Sequence, residues 1–178
     1  MKKTSILFTI AFMLMALVGC SEEEWSNNNA EMENIYYFGF QDWGKQKNDV
    51  KYSVTQGDTI AIPVEFFSEQ NKNYDVEVIW FTKSDLTLGS DYQVVDENGS
   101  TIQPQAEGGW SMTWPNAKKG VQHIRLKAIA GGKKGSVTVM TCNPANNEIS
   151  TDSTTIAKTG NYEVRGFSQN HKVTVTIN

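Results

Sequence analysis

Few residues in this 178-residue chain are of a type and spacing that can do chemistry, and the first of them is a thiol. Cys20 closes the stretch Leu17-Val18-Gly19-Cys20, directly after an apolar run. A thiol there can be converted to a lipid thioether, and small Gly19 leaves an enzyme room to reach the peptide bond before it. The other cysteine, Cys142, stands alone and reads as a small buried hydrophobe. The two histidines, His123 and His171, fall in no metal-ligand spacing, so no metal site is expected. The 20 acidic residues form no motif-spaced pair for glycoside hydrolysis. Asp75 and Glu77 share the solvent parity of one strand and read as a solvated face. No Gly-x-Ser-x-Gly elbow occurs. Gly131 to Gly135 is glycine-rich, but no helical pattern follows, so it reads as a hairpin turn and not a phosphate loop. The chain is therefore not expected to be an enzyme or to need a cofactor. What remains is aromatic. An indole face can stack on the apolar side of a pyranose ring, and Trp43 and Trp110 lie in or beside loops rich in Gly, Gln and Asn. These two are the expected ligand contacts, whereas Trp80 alternates with core residues.

The elements that would position these residues begin at the N-terminus. Lys2 and Lys3 precede a run from Ile6 to Val18 broken only by Thr9. That run is shorter than the roughly 20 residues a membrane-spanning helix needs, and fits the apolar region of a secretory signal. Leu17-Val18-Gly19-Cys20 resembles the lipobox of bacterial lipoproteins. The resemblance implies cleavage before Cys20 and acylation of its thiol, which holds the chain at a membrane by lipid alone. Ser21-Glu22-Glu23-Glu24 resembles the acidic signal that sends lipoproteins of Bacteroidota to the outer face of the outer membrane. Asn27-Asn28-Asn29 and the residues after it read as a flexible tether. The expected division is a signal peptide over 1–19, a lipidated acidic tether over 20–33 and one domain over 34–178.

That domain is long enough for a core of its own. The chain carries 16 basic and 20 acidic residues, net −4, and loses two lysines with the signal. No basic patch suited to nucleic acid stands out. With Cys20 lipidated, Cys142 has no intrachain partner for a disulfide.

No sustained helical period follows the signal. Short alternating runs between turn clusters point to an all-β sandwich of roughly ten strands. Ile35 to Phe40 is a dense aromatic strand. Ile60, Ile62, Val64 and Phe66 form one face of another, where Pro63 marks an edge or bulge because it lacks an amide donor. Val76, Val78 and Trp80 alternate with Glu77 and Ile79, both partly apolar faces suggesting a central strand. Asn98-Gly99 signals a hairpin. Trp110, Met112 and Trp114 share a face, as do Ile124, Leu126 and Ala128. Asn143 to Lys158 reads as a long polar loop. Val173, Val175 and Ile177 line the last strand. The expected core holds Val54, Ile62, Val64, Val78, Trp80, Ile124, Leu126, Val137, Val139, Val173 and Val175.

Thr87-Leu88-Gly89-Ser90-Asp91-Tyr92, the stretch from Met112 to Leu126 with its Thr113-Trp114-Pro115 turn, and the final Val173-Thr174-Val175-Thr176-Ile177 together resemble Calx-beta-like domains. The resemblance covers about Val50 to Ala130 well. It implies a seven-stranded, immunoglobulin-like antiparallel sandwich. The calcium-binding members carry an acidic cluster after the second strand of that pair. Here Gly131-Gly132-Lys133-Lys134 stands instead, so the calcium site is not carried over. Asp91 then reads as a turn cap and not a ligand. The functional expectation is a lipid-anchored, non-catalytic binding or adhesion module on the cell exterior, with glycan as the candidate ligand. The alternative is a structural or accessory envelope protein that takes a protein partner at sheet edges, with Pro63 and the terminal strand marking those edges.

Overall fold

The computed structural model describes residues 32–41, 48–145, 149 and 153–178. Cys20 and Trp43 lie outside the described residues. Among the described residues, the compact unit Asn34–Asn178 contains eleven strands. In chain order these are β1 (Ile35–Phe40), β2 (Lys51–Val54), β3 (Thr59–Phe67), β4 (Val76–Lys83), β5 (Tyr92–Val95), β6 (Trp110–Trp114), β7 (Gly120–Ala128), β8 (Gly135–Met140), β9 (Ser153–Lys158), β10 (Glu163–Phe167) and β11 (Lys172–Ile177).

They form two sheets. One has six strands in the order β5-β7-β3-β1-β10-β9, and the other has five in the order β2-β11-β8-β4-β6. Period-two alternation sets the faces. In β3 the even-numbered Ile62, Val64 and Phe66 are wholly buried, and in β11 Val173 and Val175 are. Every residue of the expected core is buried, and β4 lies between β8 and β6 as its two-sided apolar pattern suggests. The fold is therefore the expected all-β sandwich.

Its wiring differs from the expected one in several respects. The sheets are not purely antiparallel: β1 pairs with β10 and β2 with β11 in parallel. Of the connections between consecutive strands, only β9 to β10 stays within a sheet; the others cross from one sheet to the other. Gly131 to Gly135 is thus not a hairpin but the crossover from β7 to β8. Pro63 does not mark an edge. β3 sits between β7 and β1, and the Pro63 carbonyl accepts the N–H of Gln41 at 3.2 Å, just past the end of β1. The donor that proline lacks falls where that ladder stops, so its absence is harmless. The terminal strand β11 is likewise interior, flanked by β2 and β8. β9 lies in the stretch expected to be loop; its Ser-Thr-Thr sequence gives no apolar alternation to announce it.

The turn from β6 to β7 crosses the sandwich through Pro115–Ala117, where Asn116 and Ala117 both have left-handed φ, 54° and 48°. A non-glycine residue pays for that conformation sterically. Here the Asn116 N–H donates to the Asp75 carboxylate at 2.9 Å, its carbonyl accepts from Lys72 at 2.8 Å, and Ala117 is fully buried.

Candidate functional site

The structure corrects the expectation for Trp110. It is 3% exposed, and its ring stacks on Trp80 with centroids 4.9 Å apart and 20° between planes. Its Nε1–H donates to the Ile102 carbonyl at 3.1 Å, so the loop beside it covers the indole instead of presenting it. Trp114 is also interior, stacked on Phe66 at 5.0 Å.

Asp91 serves as the cap it was read to be. One carboxylate oxygen accepts the N–H of Lys133 at 2.8 Å and the other that of Thr87, also at 2.8 Å. These two backbone donors, Lys133 first, hold the carboxyl below its ordinary range, and the Lys133 charge adds to them. The cap joins the 87–91 turn to the β7–β8 crossover. A Cβ on Gly132 would lie 2.9 Å from the Asp91 Cα, so only glycine lets the two turns approach this closely. Among the described residues no group of His, Cys, Asp and Glu is arranged to hold a metal ion.

The outer face of the six-stranded sheet has two halves. The first is aromatic. Tyr37 of β1 stands opposite Phe67 of β3 and Arg165 of β10. Its ring stacks on Phe167 at 4.8 Å with the planes 2° apart. Phe67 is 40% exposed, and Val121 of β7, opposite Glu65, is 43% exposed. The β10–β11 turn rests against the same face. Asn170 donates from Nδ2 to the Phe40 carbonyl at 2.7 Å, and its Nδ2 would lie 2.9 Å from a Cβ on Gly39. Asn48 holds that turn in place, accepting the His171 N–H at 2.9 Å and donating to the Ser168 carbonyl.

Beside the stack lies a charged knot. Glu163 accepts from the Thr155 hydroxyl at 2.7 Å and from Arg165 Nε at 2.7 Å, and pairs with Lys158 at 3.1 Å. The Thr155 hydrogen bond, followed by that of Arg165, pulls its carboxyl down to about 2. Arg165 is raised in turn, first by Glu163, with a smaller contribution from Tyr37. The knot fixes the Arg165 guanidinium at the margin of the aromatic half.

The second half is basic. His123, Arg125 and Lys127 occupy alternate positions of β7, opposite the smaller Pro63, Ala61 and Thr59 of β3. Lys127 and Arg125 also face Gln93 and Val95 of β5. Arg125 donates from one guanidinium nitrogen to the His123 carbonyl at 3.5 Å.

This surface offers apolar contact and charge on a sheet face, with no nucleophile–base pair. The sequence analysis singled out none of Tyr37, Phe67 and Phe167 as a surface residue. Their outward parity, opposite to Phe66 and Val164, was the available signal.

No family model matches the chain, and no curated protein matches it. Solved structures of similar shape include the CaDoc0917–CaCohA2 complex, at 15% identity, covering 81% of this chain and 99% of that one with a TM-score of 0.41. CaCohA2 from Clostridium acetobutylicum in solution matches at 12% identity over 82% of this chain and 92% of that one, TM-score 0.40. The third ScaB cohesin of R. flavefaciens, in complex with a group 1 dockerin, matches at 14% identity over 80% and 94%, TM-score 0.32. At TM-scores below 0.5 these likenesses decide nothing about function.

Proposed function

We propose that this chain is a non-catalytic binding module, held at the outer face of an outer membrane by lipid on Cys20, which takes a protein partner on the outer face of its six-stranded sheet. The observation that carries the reading is the pair Phe67 and Val121, two of the four exposed large apolar side chains among the described residues, which share this face with the Tyr37–Phe167 stack, whereas the other two, Leu88 and Ile102, lie outside the strands. Large apolar side chains in one patch, bordered by charge, are the anatomy of a docking surface. Glycan contact through Trp110 does not fit its burial. Two of the four sheet edges are partly occupied: the carbonyls of Val94 in β5 and Thr113 in β6 already accept hydrogen bonds from Ile102 and Gln122.

The test is a photo-crosslinking residue placed at position 67 and, as control, at Ser136 on the outer face of the other sheet, in intact cells. A discrete adduct formed from 67 and absent from 136 is expected. No adduct, or the same adducts from both positions, overturns the reading. The anchor is checked separately by mass spectrometry: an acylated Cys20 at the mature N-terminus is expected, and a retained Met1 or an unmodified Cys20 overturns it.

A further inference from the structure

The basic half of the same face identifies the partner's chemistry. His123, Arg125 and Lys127 repeat every second residue of one strand, which spaces them about 6.7 Å apart in a straight row. β7 is an interior strand, paired with β3 over eight registered positions and with β5 over four, so the row does not shift. Among the described residues neither Arg125 nor Lys127 has a carboxylate partner. Glu65, on the same face of β3, lies opposite Val121, toward the aromatic half. This contrasts with Arg165, whose charge is spent on Glu163. The lysines on the outer face of the five-stranded sheet make no such row, since Lys51, Lys83 and Lys172 come from three different strands. Among the described residues, a row with two such unpaired cations, Arg125 and Lys127, is therefore particular to this place, in a chain whose net charge is −4.

We infer that the protein partner lays an acidic extended segment along His123, Arg125 and Lys127 while an apolar side chain of the same partner seats against Phe67 and Val121. The inference rests on the function proposed above. An extended peptide with a carboxylate at every second position has the same repeat of about 6.7 Å as the row. Arg125 would supply a two-pronged guanidinium contact and Lys127 a point charge. The main-chain groups of β3 and β7 are committed to their ladders, so the segment is read by side chains and not by strand addition.

The experiment uses the full lipidated chain in detergent micelles, with a fluorescent ten-residue glutamate peptide as probe. A ten-residue glutamine peptide and polygalacturonate serve as comparisons. The glutamate peptide is expected to bind, more weakly as salt rises, with the glutamine peptide silent. Arg125→Glu with Lys127→Glu should weaken binding at least tenfold, Arg125→Gln with Lys127→Gln less, and the control Lys51→Glu with Lys83→Glu less than twofold. Melting curves confirm that each variant is folded, and the neutral pair decides the matter if the charge-reversed pair is not. Equal loss in test and control variants, no loss in either, or no binding at all overturns the inference. So does polygalacturonate binding tenfold tighter than the peptide, which would make the row a site for acidic glycan. A crosslink from position 67 that survives charge reversal would leave the docking face standing and remove only the acidic segment.

Discussion

Phe66 and Phe67 are neighbours of the same chemistry with opposite fates. Phe66 has no exposed surface and packs on Trp114 and Tyr36, with centroids 5.0 and 5.3 Å away. Phe67 is 40% exposed on the far side of the same strand. The inner aromatics are held by rings from both sheets, whereas the outer ones lie on a single sheet, where Tyr37 is covered and Phe67 leaves apolar surface to water. The difference teaches that an aromatic-rich chain reveals a binding surface only through strand parity. Nearness to a polar loop misleads, as Trp110 shows, because the loop closes over the ring and takes its N–H.

The comparison breaks first in the core. Phe66→Ala is expected to cost about 3–5 kcal/mol, and Trp110→Ala a similar amount, measured by urea unfolding. A loss near zero for Trp110→Ala would mean that its stacking on Trp80 contributes nothing and that loop adjacency had been the better guide. Next comes acid. The Glu163 carboxyl sits at about 2 in the folded protein against an ordinary 4.5. A depressed carboxyl stabilises the fold above its unfolded value and loses that contribution as pH falls through the folded one. Stability should therefore drop between about pH 4.5 and 2, by no more than about 3 kcal/mol, since the 69% exposure of the Lys158 side chain makes that ion pair weak. Glu163→Gln should flatten this part of the stability–pH curve; an unchanged curve would assign the acid sensitivity to other groups. The smallest effect on stability is expected at Phe67→Ala, within about 0.5 kcal/mol. That same substitution should weaken retention of whatever partner the crosslinker captures from position 67. A large stability loss with retention unchanged would place Phe67 with the inner aromatics.

The buried faces were legible because alternation reports parity directly: Val54, Ile62, Val78, Leu126 and Val175 are all interior. Alternation does not say which sheet a strand joins. Nothing in Gly131 to Gly135 distinguishes a return within one sheet from a step across to the other, and the crossing is decided by packing far away in sequence. β9 stayed hidden because threonine and serine satisfy a ladder without an apolar rhythm. Pro63 misled because its missing donor matters only if a neighbour reaches that far, and β1 ends first. The basic row was legible as alternation in His123, Arg125 and Lys127, but its lack of carboxylate partners depends on registers that only the folded sheets reveal.

The place of β11 has a kinetic consequence. Among the described residues, the two parts of the five-stranded sheet, β2 on one side and β8, β4 and β6 on the other, meet only through β11. With nearly every connection crossing the sandwich, most pairings span long separations in sequence, and folding of this kind takes milliseconds to seconds. The second sheet cannot close while β11 is still unavailable. For a polypeptide that must be threaded through a membrane before it folds, as the proposed signal requires, late closure keeps the chain in a transportable state until β11 has emerged. Stopped-flow refolding of the chain with and without residues 172–178 would show this, with the shortened chain expected to collapse but not to reach the native tryptophan fluorescence.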